Sequence, residues 1–532
     1  MIGRHARRTV SPLRATLFAV GLGIALIFVI SPTLPGSTQV DLLGQAGSRL
    51  VENDLAGEDV AAAVMISLLA GGALGLYLYL FQPRELNTVA RLFMLALLVL
   101  VWVAAAKFFF SITLPDDERL YLSYMLPVAA APMVVATLLD AGLAVAVAAL
   151  LALLTAFAGF YLPDAREALV RHPLDALQMA TVFFLGGLVG IFAVHRAERM
   201  NRYLVAGSVV TVVSFIGLLS FWLLSSGRQA DEPVWMMVAT GLGGLLSAIV
   251  VVGATVILGL VFGITTRMQL MELAQLNHPL LRRLQEQAPG TFHHSVIVGN
   301  LAERAADLVG ADSLLVRVGC YFHDIGKVAK PVYYIENQIQ GENPHDKLAP
   351  AASAKVVADH VHTGLELAKR HRVPAPVRAF ISQHHGTRLV TYFFRRAAAN
   401  DATTDPGKFR YPGPRPQSRE TAIVMLADSV EAVVRSSRDR SAERIDSLVE
   451  AVIAERVAEG QLEECDLTLR DLKTVAESFK GTLRGVYHPR IDYPAPMAVE
   501  RAAVAAGGRS PEPLTGPMDG TAPPVEIERP DR

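Results

Sequence analysis

The strongest constraint in this sequence is where its charges lie. Residues 1–265 contain 31 Asp, Glu, Lys and Arg, whereas residues 266–532 contain 68. In the first half these charges separate nearly uncharged stretches of about twenty residues, the length a helix needs to cross bilayer hydrocarbon. Eight such stretches are present, at 15–31, 60–82, 92–110, 120–139, 141–162, 176–195, 204–225 and 236–264. Lipid offers the backbone no hydrogen bonds, so each is expected to close its own as a helix. The first run is too long for a signal-peptide core and lacks a small-residue cleavage site before Pro32, so it is expected to remain as an anchor.

Basic residues in short loops set the orientation. With the N-terminus in the cytoplasm, the inner side receives Arg4, Arg7, Arg8, Arg14, Arg84, Arg91, Arg196, Arg199, Arg202 and Arg267. The outer side receives Arg49, Arg119, Arg166, Arg171 and Arg228. Eight spans return the chain to the cytoplasm, so the second half is expected there, below the inner (plasma) membrane. The short turn at Asp140 is where this count is most easily upset. Lys107 lies near the outer end of its span and is expected to snorkel. The spans carry no chain of acidic residues or His, which disfavours a proton-relay transporter. Gly241-Leu-Gly243-Gly244 predicts close helix packing.

From 266 onward the composition is that of an ordinary soluble domain. The net charge of −1 gives no sign of nucleic-acid binding. Cys320 and Cys465 read as reduced thiols. Helical periodicity predicts helices at 268–287, 301–309, 314–320, 351–371, 376–385, 418–436, 442–458 and 467–483, with no convincing alternating strand. The fold class is therefore all-α: a polytopic transmembrane bundle followed by an all-helical cytoplasmic domain. A Pro/Gly/Asp-rich loop is expected over 400–417, and a disordered tail over 491–532. The amphipathic connector, 266–290, is expected to run from the last span into the helix bearing His294, broken only at Pro289-Gly290. A shift of that span would then arrive first at His294.

Nine of the 14 histidines fall between 293 and 385. They group with carboxylates as His293-His294, His323-Asp324, Asp359-His360 and His384-His385, followed by Asp428. A lone helical His is usually a satisfied core residue. Several imidazole and carboxylate clusters in one helical domain instead make a donor set for Mn, Fe or Zn.

Seven strings then carry a resemblance. Gly-Thr-Phe-His-His-Ser (290–295), Phe-His-Asp-Ile-Gly-Lys (322–327), Ile-Glu-Asn-Gln (335–338), Asn-Pro-His-Asp-Lys-Leu (343–348), Gln-His-His-Gly-Thr (383–387), Phe-Arg-Tyr-Pro-Gly-Pro (409–414) and Met-Leu-Ala-Asp-Ser-Val-Glu-Ala (425–432) resemble the seven-transmembrane-HD family of HD-domain phosphohydrolases. The resemblance covers roughly 60–490. It implies an integral-membrane phosphodiesterase that hydrolyses cyclic di-AMP to linear pApA with water activated by two divalent metals, Mn or Fe before Zn. His294, His323, Asp324 and Asp428 would hold one metal. Asp324 would bridge to a second, held by His360 and His384. His385 would be a further ligand or would touch the scissile phosphate, and Lys327 would face that phosphate. His293, His362 and His371 receive no role. Metals about 3.5–4 Å apart suit in-line attack on a phosphodiester.

The expected organisation is a first span (1–31), a short extracytoplasmic segment (32–59), a seven-helix block (60–265), the connector, an HD domain (291–490) and the tail. Family members commonly carry a large extracytoplasmic domain after the first span, and 32–59 is too short to hold one. The expected partners are the nucleotide and the bilayer, with no nucleic acid; a homodimer is left open. Two alternatives remain: an HD phosphohydrolase acting on another nucleotide messenger, or a nucleotide-binding signalling receptor without turnover.

Overall fold

The computed structural model describes residues 12–30, 57–83, 85–112, 120–161, 173–195, 197, 200–225, 228–338 and 343–487. The expected tail, most of the 32–59 segment and several of the loop arginines lie outside them. Among the described residues every regular element is helical, and the one β-bridge pairs Leu389 with Arg410.

Eight segments are long and apolar enough to cross a membrane. Seven of them are single helices: α1 (Pro12–Ile30), α2 (Gly57–Phe81), α3 (Val89–Ile112), α5 (Ala141–Tyr161), α6 (Pro173–Val194), α7 (Asn201–Leu224) and α8 (Glu232–Phe262). The fourth span departs from expectation. A 3-10 turn over Leu120–Met125 is followed by irregular chain and then by the nine-residue α4 (Ala130–Leu138). Pro127 and Pro132 carry no N–H, which weakens a continuous ladder here. The break is tolerated because this span is the most enclosed of the eight, with two thirds of its window buried among its neighbours. The small-residue run does what its composition predicts. A Cβ on Gly243 would sit 2.5 Å from the Tyr124 carbonyl oxygen, and one on Gly244 would sit 2.4 Å from that of Gly207.

Contacts at the two ends of the bundle fit one alternating path. Arg14 donates to the Asn87 carbonyl, and Gln82 donates to Asp140 at 2.6 Å. These contacts gather the start of α1, the α2–α3 link and the α4–α5 turn at one end. At the other end Lys107 donates to the Val29 carbonyl at the close of α1, and Trp222 donates to Glu232 between α7 and α8. The Asp140 turn is thus tied to the end that also holds Arg14.

α8 stops at Gly263, whose φ of +63° is the left-handed cap conformation. The connector is not one amphipathic rod. It forms α9 (Arg267–Leu273), capped by Thr266, and α10 (Pro279–Gln287), capped by the His278 ring. The chain turns between them, and the pair folds back onto the domain. Leu270, Leu273, Leu280, Leu281 and Leu284 are buried in one cluster with Phe322 and Ile325. Two separate apolar faces at helical spacing, interrupted by Asn277-His278-Pro279, explain why the segment bends.

The remaining helices are α11 (Pro289–Val309), α12 (Ser313–Phe322), α13 (Pro350–Arg370), α14 (Ala375–Gln383), α15 (Thr391–Asn400), α16 (Arg419–Ser436), α17 (Ala442–Ala458) and α18 (Leu469–Val486). α11 begins twelve residues before the expected 301. α15 was not expected, and it occupies the approach to the Pro/Gly loop. α16 is the central helix, with its stretch from Thr421 to Glu431 buried. α11, α12, α14, α17 and α18 pack around it through Val298, Val316, Phe380, Val449 and Phe479.

Candidate metal centre

Five helices deliver the cluster. His294 is buried on α11, while its neighbour His293 is exposed. α12 starts on an Asp312 cap, which accepts from the Leu315 N–H, and ends at His323. Asp324 follows as the chain tightens into the 3-10 turn Ile325–Ala329. Gly326 makes this turn possible. A Cβ there would lie 1.9 Å from the His360 carbonyl oxygen, so only glycine lets the turn press against α13. α13 carries His360, α14 ends at His384-His385, and α16 brings Asp428.

Asp324 lies at the centre. Its Oδ2 faces His323 Nε2 at 3.3 Å and His294 Nε2 at 3.8 Å. Its Oδ1 faces His360 Nε2 at 3.3 Å and His384 Nε2 at 3.6 Å. Asp428 Oδ1 joins the first group, 3.1 Å from His294 Nε2 and 3.9 Å from His323 Nε2. Asp428 Oδ2 lies 3.6 Å from His385 Nδ1. Donor atoms of His294, His323 and Asp324 come together as one group, and those of Asp324, His360, His384 and His385 as another.

The outward nitrogens fix the tautomers. His323 Nδ1 donates to the Cys320 carbonyl at 2.6 Å, His360 Nδ1 to Val357 at 2.7 Å and His384 Nδ1 to Phe380 at 2.9 Å. A carbonyl only accepts, so these Nδ1 atoms hold the proton and the Nε2 lone pairs point inward. His360 Nε2 and His384 Nε2 then face each other at 3.3 Å, both against a carboxylate oxygen. His323 Nε2, Asp324 Oδ1 and His385 Nδ1 are buried without any hydrogen bond. Those three orphaned atoms, two imidazole nitrogens and one carboxylate oxygen, fit a divalent cation.

Protonation follows the same geometry. Burial lowers His360 to about 4, and burial together with neighbouring His384 pushes His385 well down; both are neutral bases. Burial works to raise Asp324, but the Lys327 ammonium and the His323 ring outweigh it and keep the carboxyl well below its usual range. Burial likewise works against the charge on His294, yet Asp428 and Glu431 overcome it and raise the imidazole to about 10, so with no cation bound its Nε2 carries a proton toward Asp428, in the place a metal would take.

Three neighbours escaped the sequence reading. Glu431, fully buried one turn after Asp428, accepts from His294 Nδ1 at 2.6 Å and also from Arg435. Glu336 accepts from Lys327 Nζ at 2.7 Å and from Thr291 Oγ1 at 3.0 Å. Burial works to raise Glu336, and the Lys327 ammonium draws it down to about 2. Tyr411 lays its ring against His385, centroids 4.1 Å apart. Lys327 is therefore not an isolated point charge, because its ammonium is clamped between Glu336 and Asp324, each at 2.7 Å. The i+3 spacing of Glu431 from Asp428 was a readable signal, since it puts both on one helix face. Nothing local in the sequence marks the pairing of Glu336 with Lys327.

Two family models match the chain: residues 59–266 match "7TM receptor with intracellular HD hydrolase", and residues 291–433 match the HD domain. The chain belongs to the seven-transmembrane-HD family. With its eight apolar helices it is a multi-pass membrane protein, and its HD domain carries the divalent-metal cluster of that class. The cyclic-di-AMP phosphodiesterase PgpH of Listeria monocytogenes is 35% identical over 429 residues, covering 79% of this chain and 58% of that protein. PgpH of Bacillus subtilis is 38% identical over 313 residues, covering 59% of this chain and 44% of that protein. The chain thus spans about half the length of the curated relatives it matches. The crystal structure of the L. monocytogenes PgpH HD domain in complex with cyclic-di-AMP aligns at 45% identity with a TM-score of 0.39, covering 41% of this chain and all of that one.

Proposed function

We propose that this protein is an integral-membrane phosphodiesterase that hydrolyses cyclic di-AMP to linear pApA, with its HD domain in the cytoplasm. The observation that carries the reading is the division of Asp324, one oxygen toward each imidazole group. That division supports a bridging carboxylate between two metals. His294, His323, Asp324 and Asp428 would hold one of them, and Asp324, His360, His384 and His385 the other. The donor set suits Mn or Fe. When bound, such a pair supplies Lewis acidity for phosphodiester hydrolysis and a water of lowered pKa.

The chain's own residues prepare the site. Glu431 keeps the proton of His294 on Nδ1, so that Nε2 faces inward. The Lys327 ammonium balances the Asp324 charge, and its third N–H, over the Tyr334 ring at 5.0 Å, would turn to meet a phosphate oxygen. His385 has the most exposed side chain of the ligand set, at 15%, against 9% for Asp428 and 4% or less for the others, so substrate enters on its side. The choice of cyclic di-AMP leans on the names of the two PgpH relatives. The cytoplasmic side is supported by the end contacts. The described basic residues Arg14, Arg91, Arg202 and Arg267 fall on the HD side, leaving Lys107 and Arg228 on the other.

The test is hydrolysis by the full chain in lipid nanodiscs with Mn²⁺ or Fe²⁺, using cyclic di-AMP and cyclic di-GMP, with products identified chromatographically. Appearance of pApA is expected. Turnover of a different nucleotide with none of cyclic di-AMP overturns the substrate, and metal-independent turnover overturns the site.

A further inference from the structure

The Pro/Gly-rich segment after α15 folds as a strap beside the paired histidines. Val390 N–H donates to the Phe409 carbonyl at 2.7 Å, and Tyr411 N–H donates to the Arg388 carbonyl at 2.9 Å. The Arg410 guanidinium donates to the Thr387 carbonyl at 2.9 Å. This short antiparallel pairing fixes Tyr411 against His385, on the side where the cluster is most open.

Arg388, held by the same pairing, is oddly satisfied for a guanidinium in so enclosed a place. One amino group donates to the Ser429 hydroxyl at 3.2 Å, next to Asp428. Its Nε is buried and makes no hydrogen bond. The nearest carboxylate, Glu459, stands 3.6 Å away and already receives Arg456 at 2.9 Å. Two guanidiniums thus compete for one carboxylate at the rim of a site that handles phosphate. An enclosed guanidinium whose Nε makes no hydrogen bond is costly, and an arginine fork matches phosphate oxygens.

We propose that Arg388 binds the second, non-scissile phosphate of a two-phosphate substrate, and that Tyr411 walls this subsite and sets its distance from His385. The proposal rests on the phosphodiesterase reading and deepens it. The cluster recognises the bond to be cut, and the strap recognises that the substrate is a dinucleotide. Single-phosphate diesters would reach the cluster without using Arg388.

The test compares cyclic di-AMP with bis(p-nitrophenyl) phosphate, which has one phosphate, on the full chain with Mn²⁺. Arg388→Ala should lower the ratio of the two kcat/KM values by about tenfold or more, chiefly through KM for cyclic di-AMP. Arg388→Lys should recover part of that loss, keeping the charge without the fork. Tyr411→Ala should lower the same ratio by a smaller factor. In the Arg388→Ala variant the Ki of pApA, read as inhibition of bis(p-nitrophenyl) phosphate hydrolysis, should rise by a similar factor. Equal losses on both substrates, or no loss on either, overturn the subsite and leave Arg388 as a support for Ser429. Wild-type protein that cleaves the one-phosphate ester but neither cleaves cyclic di-AMP nor is inhibited by pApA overturns the substrate reading, and the subsite with it.

Discussion

Glu431→Gln is a demanding test of the metal centre, because it changes one atom that no substrate touches. The Glu431 carboxylate has donors on both sides. His294 Nδ1 lies 2.6 Å from Oε2, and Arg435 Nε lies 3.2 Å from Oε1. A glutamine replaces one of these oxygens with an NH₂ group, so one donor must face another. If the NH₂ faces His294, the ring is driven to the tautomer with its proton on Nε2, pointing into the cluster. If it takes the Oε1 position, the remaining oxygen still accepts from His294 and from Arg435, which donates to Oε2 at 3.3 Å, but both then meet only a neutral acceptor. Either way the inward lone pair becomes a poorer ligand. Partners of this kind are worth roughly 10–100-fold in metal affinity, or about 1.4–2.8 kcal/mol. The loss should be confined to the site built on His294, His323 and Asp428. The assay is competition of Mn²⁺ against a chelating dye, fitted to two sites, with the thermal midpoint as a check on folding. One site weakened at least tenfold with the other within threefold is the expected result. Both sites unchanged would show that Glu431 does not orient a ligand, and equal weakening of both would refute the division of the cluster.

Asp324→Ala should remove turnover and deplete both metals, read by elemental analysis, while the helical circular dichroism is kept; retained turnover would refute the bridging role. Gly326→Ala should cost folding stability as well as activity, because the added Cβ would lie 1.9 Å from the His360 carbonyl oxygen; a variant of wild-type thermal midpoint would contradict that packing. Both native cysteines are buried, so single introduced cysteines report topology. Asn87→Cys and Thr403→Cys should label from the cytoplasmic side and Arg228→Cys from the opposite side, and any other pattern removes or adds a span. A fragment starting at residue 291 should aggregate where one starting at 266 stays soluble. The first lacks the five buried leucines of α9 and α10; at about 1.5–3 kcal/mol each, their loss approaches the about 5–15 kcal/mol that holds an ordinary domain together.

What the sequence made legible follows from what each signal measures. Hydropathy registers length and the absence of charge, and the eight spans match those expected. It does not register continuity, so the broken fourth span was read as one helix. In the soluble half, periodicity placed α12, α13, α16 and α17 to within a few residues but began α11 twelve residues late. The cause lies in the site itself. His294 and Ser295 place polar groups on the buried face of α11, which serves the cluster, and exposed His293 and Asn300 lie beside them, so the apolar period is interrupted. The histidines and aspartates that gather around Asp324 stand out in the sequence, since such side chains are rare together. Glu336, Glu431 and Tyr411 were not, since a glutamate or a tyrosine in a helical domain carries no signal until its partner is known.

The connector changes how the membrane half can reach the chemistry. A straight helix would carry motion of the last span to His294 first. Instead α9 and α10 turn back and bury their leucines against Phe322 and Ile325, the residues that flank His323 and Asp324. The His278 ring, which caps α10, meets the Phe322 ring edge-on at 5.3 Å. Arg267, at the start of α9, faces Asp312, the cap of the helix that ends at His323. A displacement entering at Gly263 therefore meets the packing under the bridging carboxylate before it meets α11. Close-packed cores shift as units rather than deform gradually, so the residue most exposed to motion of the bundle is Asp324, the one shared by both halves of the cluster. A change there would be felt by both groups together rather than by one ligand of the cluster.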